Sequence, residues 1–198
     1  LLSEGRNPEL SKEQIENYLC EYLGVEKVIW IKDGIDPEET NGHIDDVAFF
    51  VRPGEVACIW TDDEDNPQYP NLKAAFDTLN GQTDAKGRTL EIHKIPIPGI
   101  IRISEEESAG VDICKDAASR EADLPLAITY INSYFVNGGL LVPQYGDPMD
   151  QVACDMFAEL MPDREIIKIY TREWSLCGGN IHCMALQQPD PVAIAAQA

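Results

Sequence analysis

Two short polar segments hold the side chains that could do chemistry: Asn41-Gly42-His43-Ile44-Asp45-Asp46 and Gly178-Gly179-Asn180-Ile181-His182-Cys183. The first offers an imidazole and carboxylates; the second offers a thiol behind a flexible glycine pair. A cysteine and a histidine brought together supply an activated nucleophile and a general acid/base. His43 and Asp45 are two residues apart, so in an extended segment they point to the same side. His43, Asp45, His182 and Cys183 are also ligand types that zinc accepts, although their spacing matches no familiar zinc motif. Plainer readings stand beside these. A Gly-His-x-Asp string commonly decorates a surface loop, and a free cysteine is commonly a small buried hydrophobe. His93 reads as an ordinary strand residue, Cys20, Cys58 and Cys154 as packing residues, and Glu105-Glu106-Glu107 as a solvated helix start or loop.

The elements that would position these segments follow from periodicity. Ser11 and Gln14 form a capping box ahead of Ile15, Leu19, Tyr22 and Leu23, and Gly24 stops that helix. Asn66-Pro67 opens a second helix with Leu72, Ala75, Phe76 and Leu79 inward. Asp147-Pro148 opens a third with Met149, Val152, Ala153, Met156, Phe157 and Leu160 inward, ended by Pro162. Strands are predicted at Lys27–Ile31, Val47–Arg52, Val56–Thr61, Leu90–Ile95, Asn132–Val136, Leu140–Pro143 and Glu165–Tyr170, with tight turns at Arg52-Pro53-Gly54 and Asn137-Gly138-Gly139. Residues 47–95 and 132–170 therefore read as the same strand–strand–helix–strand unit twice, offset by 85 positions, with 96–125 inserted between them. The helix and strand at the front read as the back half of another unit, and the residues from Asn180 as the start of the next. The tail after Pro189 carries no cap or turn signal and is predicted to fray. Repeats of this kind assemble side by side, and equivalent places in a radial repeat converge on its axis. The two polar segments occupy such places, after the last strand of one unit and before the first of the next.

Composition sets outer limits. The chain has 198 residues, 44% hydrophobic and 25% charged, long enough for a core that buries about 70% of the unfolded surface. A net charge of −20 argues against nucleic acid or anionic membrane as partner and favours a cation. No apolar run is long enough to cross a bilayer, and no signal peptide opens the chain. The six cysteines form no Cys-x-x-Cys pair, which favours reduced thiols and a cytoplasmic protein. The chain opens at Leu1 without a methionine, so sequence is expected to be missing upstream.

Five ordered strings carry a resemblance: Asn41-Gly42-His43-Ile44-Asp45, Thr61-Asp62-Asp63-Glu64-Asp65-Asn66-Pro67-Gln68-Tyr69, Asn137-Gly138-Gly139, Pro143-Gln144-Tyr145-Gly146-Asp147-Pro148 and Gly178-Gly179-Asn180-Ile181-His182-Cys183. Together, over nearly the whole chain, they resemble the agmatine deiminase family of the guanidine-modifying (pentein) superfamily. The resemblance implies an α/β propeller of strand–strand–helix–strand modules, incomplete at the N-terminus, with residues 1–198 as the C-terminal portion of a single domain. It implies Cys183 as nucleophile, His43 as general acid/base, Asp45 as a carboxylate gripping the guanidinium, and Gly179 and Asn180 at the substrate. The implied reaction turns agmatine and water into N-carbamoylputrescine and ammonia through a thiouronium on Cys183, toward polyamines. A thiolate suits that task because a delocalised guanidinium is a poor electrophile. No metal or organic cofactor is implied, nor nucleic acid or membrane; a homodimer is admitted. Relatives carry a Trp-Arg-Asp-x-Gly-Pro-type segment and further acids upstream that this chain lacks, and they often have a small residue where Cys177 stands. An arginine- or peptidylarginine-type deiminase is the alternative within the class, and a non-catalytic truncated chain is the alternative outside it.

Overall fold

The computed structural model describes residues 1–2, 5–35, 42–112 and 120–188. Asn41 of the first motif, Cys114 and the tail after Gln188 lie outside the described residues. Two three-stranded sheets form the frame. In the first, β1 (Ala48–Arg52) pairs antiparallel with β2 (Glu55–Trp60), and α2 (Tyr69–Leu79) carries the chain to β3 (Glu91–Pro96), which pairs parallel with β2. In the second, β4 (Tyr134–Val136), β5 (Gly139–Gln144), α4 (Met149–Leu160) and β6 (Glu165–Tyr170) repeat that order and those orientations. The strand–strand–helix–strand unit read from the sequence is therefore present twice, with boundaries shifted by one or two residues.

Local chemistry explains the elements. The α1 helix (Lys12–Leu23) starts at the expected capping box, in which Ser11 Oγ accepts from Gln14 N and Gln14 Oε1 accepts from Ser11 N; Gly24 closes it. α2 begins two residues after Asn66-Pro67, with Pro70 in its first turn, where the missing N–H costs nothing. Glu105-Glu106-Glu107 lies in a short helix, α3 (Glu105–Ala109), capped reciprocally by Ser104 and Glu107. The insertion that carries α3 is tied down by Arg172, which heads α5 (Arg172–Ser175). Its guanidinium donates to both oxygens of Glu107, at 2.6 and 2.9 Å, and to Arg102 O.

The core runs between the two units. Phe157 of α4, fully buried, stacks on Phe49 at 5.8 Å, and Phe49 meets Phe135 edge-on at 5.3 Å. α4 packs on both β3 and β6, joining the sheets. Two sequence expectations fail here. Lys27–Ile31 is not a strand, because among the described residues no strand lies beside it to take its hydrogen bonds. Tyr22 and Leu23 are exposed rather than inward, as are Met149 and Val152; periodicity marks an apolar stripe, but burial needs a neighbour to cover it. Among the described residues no strand follows α5, and the rest of the unit expected from Asn180 onward lies outside them. Among the described residues no helix is long and apolar enough to cross a membrane.

Candidate functional site

Both polar segments reach one point, from opposite ends of the frame. The first runs into β1 through a 3₁₀ turn over Ile44–Asp46, so it is not the extended segment on which the alternation argument relied. The turn nonetheless keeps His43 beside Asp45, with Nδ1 3.8 Å from Oδ1, while His43 Nε2 accepts from the Arg6 guanidinium. Gly42, at φ +69°, fits because its α-carbon faces Gly34 backbone; a Cβ there would stand 2.9 Å from Gly34 N.

The second segment is anchored from beneath. Asn180 is buried, and its side-chain amide donates to Tyr145 Oη at 3.0 Å and Ser175 Oγ at 3.1 Å, while its Oδ1 accepts from Ile181 N at 2.9 Å. Tyr145 Oη in turn donates to Thr129 O, and Ser175 Oγ donates to Thr171 O. Buried polar groups satisfied in this way fix a loop strongly. Asn180, expected to meet substrate, thus turns its side chain into the protein. Ile181 is buried as well, leaving His182 and Cys183 exposed on the loop's outer side. Gly179 lies directly against the nucleophile candidate: a Cβ there would come within 3.1 Å of Cys183 Cβ.

Asp45 joins the two segments. Its Oδ2 accepts from His182 Nδ1 at 2.9 Å and from the Cys183 thiol at 3.3 Å, while Oδ1 faces His43. Residues 138 positions apart in sequence are therefore in hydrogen-bond contact. Burial pushes the Cys183 thiol up from its ordinary value; hydrogen bonds from Asn180 N–H and the Asn132 amide pull it down, and the Asp45 carboxylate pushes it up again, for a net upward shift. The resting sulfur is thus held as a thiol. Asp45 is well placed for a cation, being only 15% exposed and lying between an imidazole and a sulfur.

Sequence reasoning missed Asn132. It is fully buried, just ahead of β4, and its side-chain amide touches Asp45, Asp46 and Cys183. In the structure Asn132 precedes β4 as His43 and Asp45 precede β1, but the sequence reads it as the first residue of a strand and no motif singles it out. The remaining candidates fall where packing was expected. His93 lies in β3 and bonds Glu55 at 3.1 Å, while Cys58 and Cys154 are buried. Among the described residues no group of three or more His, Cys, Asp and Glu side chains is arranged to hold a metal ion.

Two repeated mixed sheets deliver a thiol, two imidazoles and a carboxylate to one point. The chain belongs to the Porphyromonas-type peptidyl-arginine deiminase family, whose model matches residues 1–189. A relative in Listeria monocytogenes is 53% identical over 189 residues, spanning 96% of this chain and 52% of its own length. The agmatine deiminase of Pseudomonas fluorescens is 46% identical over 194 residues, spanning 98% of this chain and 53% of its own. A solved structure, the agmatine deiminase of Enterococcus faecalis catalysing its reaction, superposes with a TM-score of 0.92 at 47% identity, over 96% of this chain and 52% of that one. The chain spans about half the length of the curated relatives it matches.

Proposed function

We propose that residues 1–198 are the C-terminal portion of an agmatine deiminase-like α/β propeller domain, one in which Cys183 hydrolyses the guanidinium of agmatine to N-carbamoylputrescine and ammonia. The observation that carries this reading is the contact between Asp45 and Cys183 across 138 residues of sequence, in a chain of this family. The guanidinium pairs with Asp45, whose carboxylate accepts its N–H groups and sets the angle of approach. A cation bound there cancels the charge that helps hold the thiol protonated, so the sulfur ionises more readily with substrate present. The thiol proton passes to His43, Sγ attacks the guanidinium carbon and a C–S bond forms. The C–N bond breaks, and ammonia departs with a proton from His43. His43 then takes a proton from water; the oxygen adds to the same carbon, the C–S bond breaks, and thiolate and urea product are released. Gly179 leaves room beside the sulfur, and a side chain there would crowd the approach. The net charge of −20 suits a dicationic substrate.

The relatives named for agmatine favour agmatine over arginine, whereas the family description names peptidyl-arginine. Ammonia release by the full-length protein, measured with agmatine, free arginine and a peptidyl-arginine in parallel, decides between them. Agmatine is expected to give the highest kcat/KM; a higher value for either of the others would overturn the choice of substrate.

A further inference from the structure

We infer that Asn132 is a positioning residue for the Cys183 reaction: its side-chain amide holds the nucleophile loop in register with Asp45 and offers the sulfur an uncharged hydrogen-bond donor. The inference rests on the proposed role of Cys183 and goes beyond it. Two sets of contacts support it. On the acceptor side, Asn132 Oδ1 takes the backbone N–H of His182 at 2.8 Å and that of Cys183 at 3.4 Å, while Asn132 O takes the His182 N–H at 3.3 Å. On the donor side, Nδ2 lies 3.1 Å from Asp45 Oδ2, 2.9 Å from Asp46 Oδ1 and 3.2 Å from Cys183 Sγ. An amide has two N–H bonds and here faces three acceptors, so they compete. When a guanidinium takes over Asp45, that carboxylate no longer needs the amide, and an N–H is released to the sulfur as it becomes anionic. A carboxylate at 132 could still accept the two backbone N–H groups, but it would place a second acid against the thiol.

Alkylation of Cys183 by iodoacetamide across pH, followed by peptide mass spectrometry on the full-length protein, reads this directly; the exposed Cys177 serves as internal reference. Asn132→Asp is expected to move the Cys183 profile up by about one pH unit, because a like charge disfavours the thiolate, while Cys177 stays put. Should the buried acid prevent folding, Asn132→Ala removes the donor without adding charge and is still expected to move the profile up. A Cys183 profile that coincides with wild type in a folded Asn132 variant overturns the inference. Alkylation needs no substrate. A shifted profile in a protein that leaves agmatine untouched would retire the agmatine reading alone, and an unshifted profile in an agmatine-active protein would retire the Asn132 inference alone.

Discussion

Replacing Asp45 with asparagine should make the nucleophile easier to ionise and the enzyme worse. Asp45 Oδ2 stands 3.3 Å from Cys183 Sγ. At that separation two unit charges repel by about 1.3 kcal/mol in bulk water and about 2.5 kcal/mol at half that dielectric, and the exposed sulfur belongs in this range. Dividing by about 1.4 kcal/mol per pH unit, Asp45→Asn should lower the alkylation midpoint of Cys183 by about one to two units. Burial, the largest cause of the upward shift, stays in place, so the midpoint moves part of the way only. Turnover should go the other way. Asparagine loses the charge-assisted pairing with the cation, worth about 1.5–3 kcal/mol for each hydrogen bond, and with it the fixed angle of attack, so kcat/KM for agmatine should fall by a factor of about a hundred or more. The assay is iodoacetamide modification of Cys183 against pH beside ammonia release from agmatine. A midpoint that stays or rises would refute the electrostatic reasoning, and turnover within a few-fold of wild type would refute the grip.

Three further outcomes follow from the geometry. Gly179→Ala places a methyl 3.1 Å from Cys183 Cβ, so kcat should fall by about tenfold with little change in Tm, measured by steady-state kinetics and thermal melts. Arg172 holds the Glu107 carboxyl down to about 2, so this tie stabilises the fold fully above the ordinary carboxylate value near 4.5 and loses its effect as pH falls toward 2; Glu107→Gln should lower Tm by a few degrees at pH 7 and flatten that acid dependence between pH 5 and 2. Exhaustive chelation should leave agmatine turnover intact, since the chemistry needs only thiol, imidazole and carboxylate; activity lost to chelator and restored by zinc would return His43, His182 and Cys183 to the role of metal ligands.

How much could be read from the sequence depended on distance along the chain. The capping box at Ser11 and the turn at Asn137-Gly138-Gly139 are local grammar, and the structure places them as read. The repeat was legible because each unit spells its own turns and helix start. Lys27–Ile31 was misread because strand propensity says nothing about whether a partner strand is present. Tyr22 and Val152 were misread for a related reason, since a stripe does not reveal what covers it. His43, Asp45 and Cys183 were picked out by residue type and by the family strings, and the structure brings Asp45 against Cys183 and sets His43 beside it; the expected alternation of His43 and Asp45 fails because the segment coils into a 3₁₀ turn. Asn132 lies 87 residues from Asp45 and 51 from Cys183, in no motif, and an asparagine ahead of a strand is chemically unremarkable until its partners are seen in space.

The claim that everything else depends on is that Cys183 bonds to the guanidinium carbon. Acid quenching of the full-length protein during steady turnover of agmatine, followed by peptide mass spectrometry, tests it. The account predicts that the peptide carrying Cys183, and no other, gains the mass of agmatine less one ammonia, and that Cys183→Ser shows neither adduct nor ammonia release. Turnover by the serine variant, or an adduct on a different residue, would contradict it.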